Sequence, residues 1–217
     1  MAVFWEDKIA VMPRWFLGPA LLLLRPVNVT NPLSPGAKVG LTVLLAVYGF
    51  IILRSPDSFR IIDNVDLAIH ETGHLIFAPF GEFLGFLGGT LFQVIVPLTF
   101  FGYFLRQGDR HSASVLLWWV AQNCWNISVY VKDARSQELP LVGGEHDWTY
   151  LLYELDLLEH DQAIGQAIYV IGIILFAASI GWGLWSARAK PAVKETKHCS
   201  HSGSAEPTTA GQKDPGR

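Results

Sequence analysis

An H-E-x-x-H motif, His70-Glu71-Thr72-Gly73-His74, has residue types and a spacing that could hold a catalytic metal. On a helix His70 and His74 lie one turn apart and face the same way, so both imidazoles can bind one Zn²⁺ while Glu71 reaches its bound water. The flanking residues are apolar, and burying two histidines and a glutamate among them without a partner would be costly. The motif therefore predicts a zinc site for metal-assisted hydrolysis.

A catalytic zinc normally needs a third protein ligand, with its fourth position left for water. Asp133 is the first candidate, at the end of an apolar segment that also carries Asn123 and Asn126. The pair His146 and Asp147 is the second, because two preceding glycines allow a sharp turn. Asp133 could instead pair with a neighbouring basic residue, and His146 and Asp147 could belong to an ordinary loop. Both candidates therefore stay open.

Asp66 lies four residues before His70 and falls on the same helix face. Its carboxylate could accept a hydrogen bond from a ligand imidazole and hold the ring in place. It could equally stabilise the N-terminus of the motif helix, where a negative charge is favourable. The sequence favours neither role over the other.

The composition predicts a membrane protein. Of 217 residues, 51% are hydrophobic and 16% are charged, whereas soluble domains have about 25% charged residues. The apolar residues form runs long enough to cross a hydrocarbon core of about 30 Å, which takes about 20 helical residues. Membrane lipid is thus an expected partner, and nucleic acid is not, because no basic stripe with interleaved aromatic residues is present.

The apolar runs predict an all-α, multi-pass integral membrane protein with about four or five transmembrane helices. The predicted helical runs cover 39–53, 64–77, 84–105, 112–131 and 163–187. Glycines at the start of the third run, Gly85, Gly88 and Gly89, could form an unwound or re-entrant entrance. We expect an interfacial N-terminal segment at 1–37, a membrane domain with the zinc site at 38–187, and a disordered tail at 188–217.

These residues resemble the site-2 protease family of intramembrane zinc metalloproteases and its shorter relatives. Those proteins carry H-E-x-x-H on one membrane helix, and a distant helix bears an Asn a few residues before a zinc-binding Asp. The resemblance covers 63–135 and implies peptide hydrolysis near the membrane, with a membrane protein as substrate. It implies zinc ligands at His70, His74 and Asp133, a general base at Glu71, and a substrate-positioning amide at Asn123 or Asn126.

Two other functions are compatible with the motif. The family's N-x-x-P…D-G pattern lacks its proline here, and Ala134 follows Asp133 in place of glycine, which favours a non-proteolytic membrane metal-binding or scaffold protein. His70 and His74 also fit the H-x-x-x-H box of a di-iron lipid hydroxylase. Such sites need many histidines, and the chain has no H-x-x-H-H box, so this alternative is the weakest.

Overall fold

The computed structural model describes residues 31–139 and 146–188, and these are helical with no strand among them. This part of the chain confirms the all-α prediction. Its α-helices are α1 (Pro35–Arg54), α2 (Ile61–Phe77), α3 (Glu82–Arg106), α4 (Arg110–Lys132), α5 (Asp147–Glu154) and α6 (Asp161–Arg188). Two short 3₁₀ turns, Ala78–Phe80 and Leu158–His160, precede α3 and α6.

Three helical segments among the described residues are long and apolar enough to cross a membrane: α1, α3, and Leu158–Arg188, which contains α6. The first begins earlier than its apolar run because the Ser34 side chain accepts the Ala37 N–H and Pro35 fits the first turn. The expected number of four or five spans is not confirmed. The difference lies in α2 and α4, whose polar residues lower their apolar character.

Helix α4 is the centre of the described structure and packs against α3 and α6. Its Trp125, Gln122 and Asn123 are almost completely buried, so these side chains face the interior of the helix bundle. Gly172 of α6 lies against the Trp125 indole, where an added Cβ would be 2.5 Å from the ring nitrogen. This glycine therefore lets α6 approach α4 closely.

Helices α2 and α3 touch through their backbones at Gly73 and Gly88. A Cβ on Gly88 would lie 2.8 Å from the Gly73 carbonyl oxygen and 2.5 Å from the Phe77 Cβ. The unwound entrance expected around Gly88 is not formed, because Gly85, Gly88 and Gly89 all lie inside the regular helix α3. These glycines bring α3 close to the motif helix instead.

The two ends of the chain fall largely outside the described residues. The predictions of an interfacial segment at 1–37 and a disordered tail at 188–217 therefore stay predictions for 1–30 and 189–217. Within 31–37, the Asn31 amide donates a hydrogen bond to Asp109, which caps the N-terminus of α4.

Candidate metal centre

His70 and His74 both direct their Nε2 atoms at one carboxylate oxygen, Oδ2 of Asp147. His70 Nε2 lies 2.9 Å and His74 Nε2 lies 3.2 Å from Oδ2 of Asp147. Bonds of 2.0–2.2 Å to a tetrahedral zinc place its ligand atoms about 3.3–3.6 Å apart. The His74 separation is close to that found in a zinc coordination shell, and the His70 separation is shorter, at a hydrogen-bond distance.

The other ring nitrogens are held by α3. His70 Nδ1 lies 3.2 Å from Oε1 of Gln93, and His74 Nδ1 lies 2.8 Å from the Gly85 carbonyl oxygen. Because these oxygens can only accept, both Nδ1 atoms carry hydrogen and both neutral rings present a lone pair at Nε2. The Nε2 lone pairs and the Asp147 oxygen are all electron-rich and would repel one another at this distance. A positive charge therefore has to lie between the nitrogens and the oxygen, either as ring protons or as a metal ion.

The charges at the site fit this requirement. Burial raises the pKa of Asp147, but hydrogen bonds with His70 and His74 outweigh it and lower that pKa to about 2. The same contact with Asp147 raises the pKa of His74 to about 9, against the opposing effect of burial. The carboxylate is thus ionised at neutral pH, and a metal entering the site would displace a proton.

Gly89 leaves room for an ion beside both imidazoles. A Cβ at this position would lie 2.6 Å from His70 Nε2 and 2.7 Å from His74 Nε2. Helix α3 thus supplies both the acceptors that hold the two rings and the space next to their Nε2 atoms.

Glu71 completes the cluster. One of its carboxylate oxygens and one ring nitrogen each of His70 and His74 lie within 4.8 Å of one another. The side chain is half-buried and lines the same cavity as the histidines. A water bound near the imidazoles would be within reach of this carboxylate.

Asp133, the first candidate for the third ligand, has its carboxylate bound by donors of the segment that follows it. Its carboxylate accepts hydrogen bonds from the Ser136 hydroxyl and from the backbone N–H groups of Glu138 and Leu139, at 2.7, 2.9 and 3.0 Å. Burial raises the pKa of Asp133, and these donors more than offset it, so the pKa is lowered. Asp133 therefore anchors the segment that follows α4.

The second candidate pair separates into two roles. Asp147 meets the imidazoles, whereas His146 caps α5 by accepting the Thr149 N–H at its Nδ1. The Nε2 atom of His146 lies 3.4 Å from the Asp133 carboxylate. The geometry thus favours Asp147 over both Asp133 and His146 as the third ligand.

Asp66 does not hold an imidazole in this structure. Its side chain is directed at α4, where the Trp119 indole N–H donates to Oδ1 at 2.8 Å, and only 1% of the residue is exposed. Gln93 lies beside His70 in the role that was one of the two considered for Asp66. One signal for Gln93 was available, since an amide within the apolar run 84–105 has to face a polar partner.

The two candidate substrate-positioning amides lie in different environments. Asn123 is buried and donates to the Trp119 carbonyl, whereas Asn126 lines the cavity and accepts a hydrogen bond from Gln93 at 3.0 Å. Of the two, Asn126 is the one that a bound molecule could contact.

The histidines open into a cavity of about 810 Å³, a size typical of ligand sites. Much of its wall is apolar or aromatic, and Phe86 and Tyr150 stack with ring centroids 4.3 Å apart beside it. The lining residues that surround the polar cluster are Phe59, Leu67, Ala78, Phe86, Ile127, Tyr130 and Trp148. An apolar segment could therefore lie next to the histidines.

No protein-family model, curated protein or solved structure matches this chain. The resemblance to the site-2 protease family rests on the motif residues alone and stays a prediction.

Proposed function

We propose that this chain is a multi-pass membrane zinc metallopeptidase, similar to the site-2 protease family, that hydrolyses peptide bonds at or within the bilayer. The observation that carries the proposal is the convergence of His70 Nε2 and His74 Nε2 on Asp147 Oδ2, beside Glu71 and inside a cavity. The three long apolar helical segments support the membrane location.

The donor set is suited to catalytic zinc. Two imidazoles and one carboxylate, with a fourth position for water, are the ligands of several zinc peptidases. Bound zinc would supply a water of lowered pKa and polarise the carbonyl of the scissile bond. Gly89, which has no side chain, leaves the space that such an ion needs.

The residues around the proposed zinc site have the other roles in the reaction. Glu71 takes a proton from the attacking water and passes it to the leaving amine. Gln93 and the Gly85 carbonyl keep the two rings oriented. Asn126, on the cavity wall, offers its amide to the backbone of the substrate.

The substrate has to be extended where it is cut, because the hydrogen bonds of an intact helix shield its peptide bonds. An extended apolar segment suits the cavity, whose wall includes Leu67, Phe86 and Ile127. Such a segment would come from another membrane protein.

Replacement of Glu71 tests the proposal. Glu71→Gln should keep zinc and lose about 10²–10⁴-fold in cleavage rate, because it removes the proton acceptor but no ligand. Quantitative N-terminal proteomics of membranes from cells expressing either form should reveal a substrate that stays uncut in the variant. Glu82→Gln is the matched control, since Glu82 also lines the cavity without being in the metal cluster.

Identical substrate profiles for wild type and Glu71→Gln, with zinc bound to both, would contradict peptide hydrolysis. A metal-binding membrane scaffold would then be the better description.

A further inference from the structure

Asp63 lies two turns before His70 on α2, and both of its carboxylate oxygens accept hydrogen bonds. The residue is buried, and its Oδ2 accepts the backbone N–H of Arg60 at 2.6 Å. Its Oδ1 accepts hydrogen bonds from two amides of α4, Gln122 at 3.1 Å and Asn126 at 3.3 Å. The carboxylate is therefore fixed by both helices.

One of these two amides leads to the metal centre. Asn126 accepts a hydrogen bond from Gln93 Nε2 at 3.0 Å, and Gln93 Oε1 lies 3.2 Å from His70 Nδ1. Asp63 and His70 are thus joined by a continuous chain of two amides. The Gln122 branch does not continue, because its Oε1 is buried without a partner among the described residues.

The donor direction of the chain is set at Asp63. An ionised carboxylate can only accept, so Asn126 donates to it and is left with its oxygen facing Gln93. Gln93 then donates to Asn126, and its oxygen faces the ring. Exchanging the nitrogen and oxygen positions of either amide would place two donors, or two acceptors, opposite each other. His70 must therefore carry hydrogen at Nδ1 and present its lone pair at Nε2.

We propose that Asp63 is a positioning residue for the metal centre, which orients His70 through Asn126 and Gln93 and strengthens its Nε2 as a ligand. Metal-bound histidines usually donate their second N–H to a carboxylate or carbonyl, which fixes the tautomer and raises ligand basicity. Here two amides transmit this effect from a carboxylate on the same helix. The inference rests on the proposed metal site and not on peptide hydrolysis.

The first test compares the two amides bound to Asp63. The measurement is the zinc affinity of the full chain in detergent, by competition with a chromophoric chelator. Asn126→Leu interrupts the chain and should weaken zinc binding about 10-fold, the lower end of the effect of residues that support a ligand. Gln122→Met removes a bond to the same oxygen of Asp63 and should leave the affinity unchanged.

The second test reverses the donor direction of the hydrogen bonds that join position 63 to position 93. In a Gln93→Glu background, the new carboxylate accepts from His70 but opposes the oxygen of Asn126. Adding Asp63→Asn lets Asn126 turn around, donate to position 93 and accept from position 63. The partnerless oxygen of Gln122 can then accept the second N–H introduced there. Asp63→Asn should therefore weaken zinc binding about 10-fold in the wild-type background and strengthen it in the Gln93→Glu background.

This change of sign distinguishes positioning from a purely electrostatic effect, in which removing a negative charge weakens metal binding in both backgrounds. Equal weakening in both backgrounds, or no effect in either, would overturn the inference. If Asn126→Leu does not fold, as judged by its melting in detergent, the two Asp63→Asn measurements decide alone. A wild-type chain that binds no zinc would instead contradict the proposed metal site.

Discussion

His70 Nε2 lies 2.9 Å from Asp147 Oδ2, although the two residues are 77 positions apart in the chain. The contact joins the motif helix α2 to the short helix α5, which lies outside the segments long enough to cross a membrane. His74 approaches the same oxygen at 3.2 Å. The candidate zinc site is therefore built from a helix turn on one side and the first residue of α5 on the other.

Removing the Asp147 carboxylate should remove the metal. We expect Asp147→Ala to lower zinc affinity by at least the 10–100-fold that is typical of losing a residue that only supports a ligand. Glu82→Ala, which removes another carboxylate from the cavity wall, should change it little. Chelator competition on the purified proteins measures both. Equal losses in the two variants would mean that the cavity's overall charge, and not a ligand at Asp147, retains zinc.

A methyl group at Gly89 should block the ion. In Gly89→Ala the added Cβ would lie 2.6 Å from His70 Nε2, so the rings and the metal cannot both keep their positions. Gly102→Ala is the matched control on the same helix, because a Cβ there meets nothing within 4 Å. Zinc content per chain should fall in the first variant and not in the second. Full zinc retention in Gly89→Ala would show that the ion lies elsewhere.

Asp133 should act on the site through its own segment. Asp133→Ala removes the acceptor of the Glu138 and Leu139 N–H groups, and hydrogen bonds to a charged group contribute about 1.5–3 kcal/mol each. Hydrogen-exchange mass spectrometry should detect faster exchange in a peptide covering 136–139. Zinc affinity should fall less than in Asp147→Ala. A larger fall in Asp133→Ala would restore Asp133 as the third ligand.

The sequence predicted the part of the site that depends on helix periodicity alone. His70 and His74 are four residues apart, so any helix through them directs both rings to one side. Their shared acceptor could not be predicted, because the choice between Asp133 and Asp147 depends on an irregular segment. The N–H groups of Glu138 and Leu139 bind the Asp133 carboxylate, which favours Asp147 as the ligand.

The residues that hold the rings were only partly predictable. Gln93 carried a signal, as an amide in an apolar run, and Asn126 was a candidate through the family resemblance, as a substrate-positioning amide. The Gly85 contact with His74 uses a backbone carbonyl, which no side-chain pattern reveals. Asp66 shares a face of α2 with His70, but its side chain lies against Trp119 of α4. Different parts of that one face contact different neighbouring helices.

The number of spans was harder to predict than the helices. The bounds of α3 and α4 lie within two residues of the predicted runs at each end. Run length alone suggested that α4 crosses the membrane, but its polar residues keep it out of the set of helices that are apolar enough to do so. Apolar length thus predicts helices well, whereas the exposure of each face depends on packing.

The central claim is that zinc is bound by His70, His74 and Asp147, and X-ray absorption at the zinc edge tests it most directly. Purified wild-type chain should contain about one zinc, with two imidazole nitrogens at 2.0–2.1 Å and carboxylate or water oxygens at 2.0–2.2 Å. The imidazole signal should disappear together with the metal in the His70→Ala, His74→Ala double variant. A wild-type chain that takes up no zinc on reconstitution, or a zinc shell without imidazole, would contradict the claim.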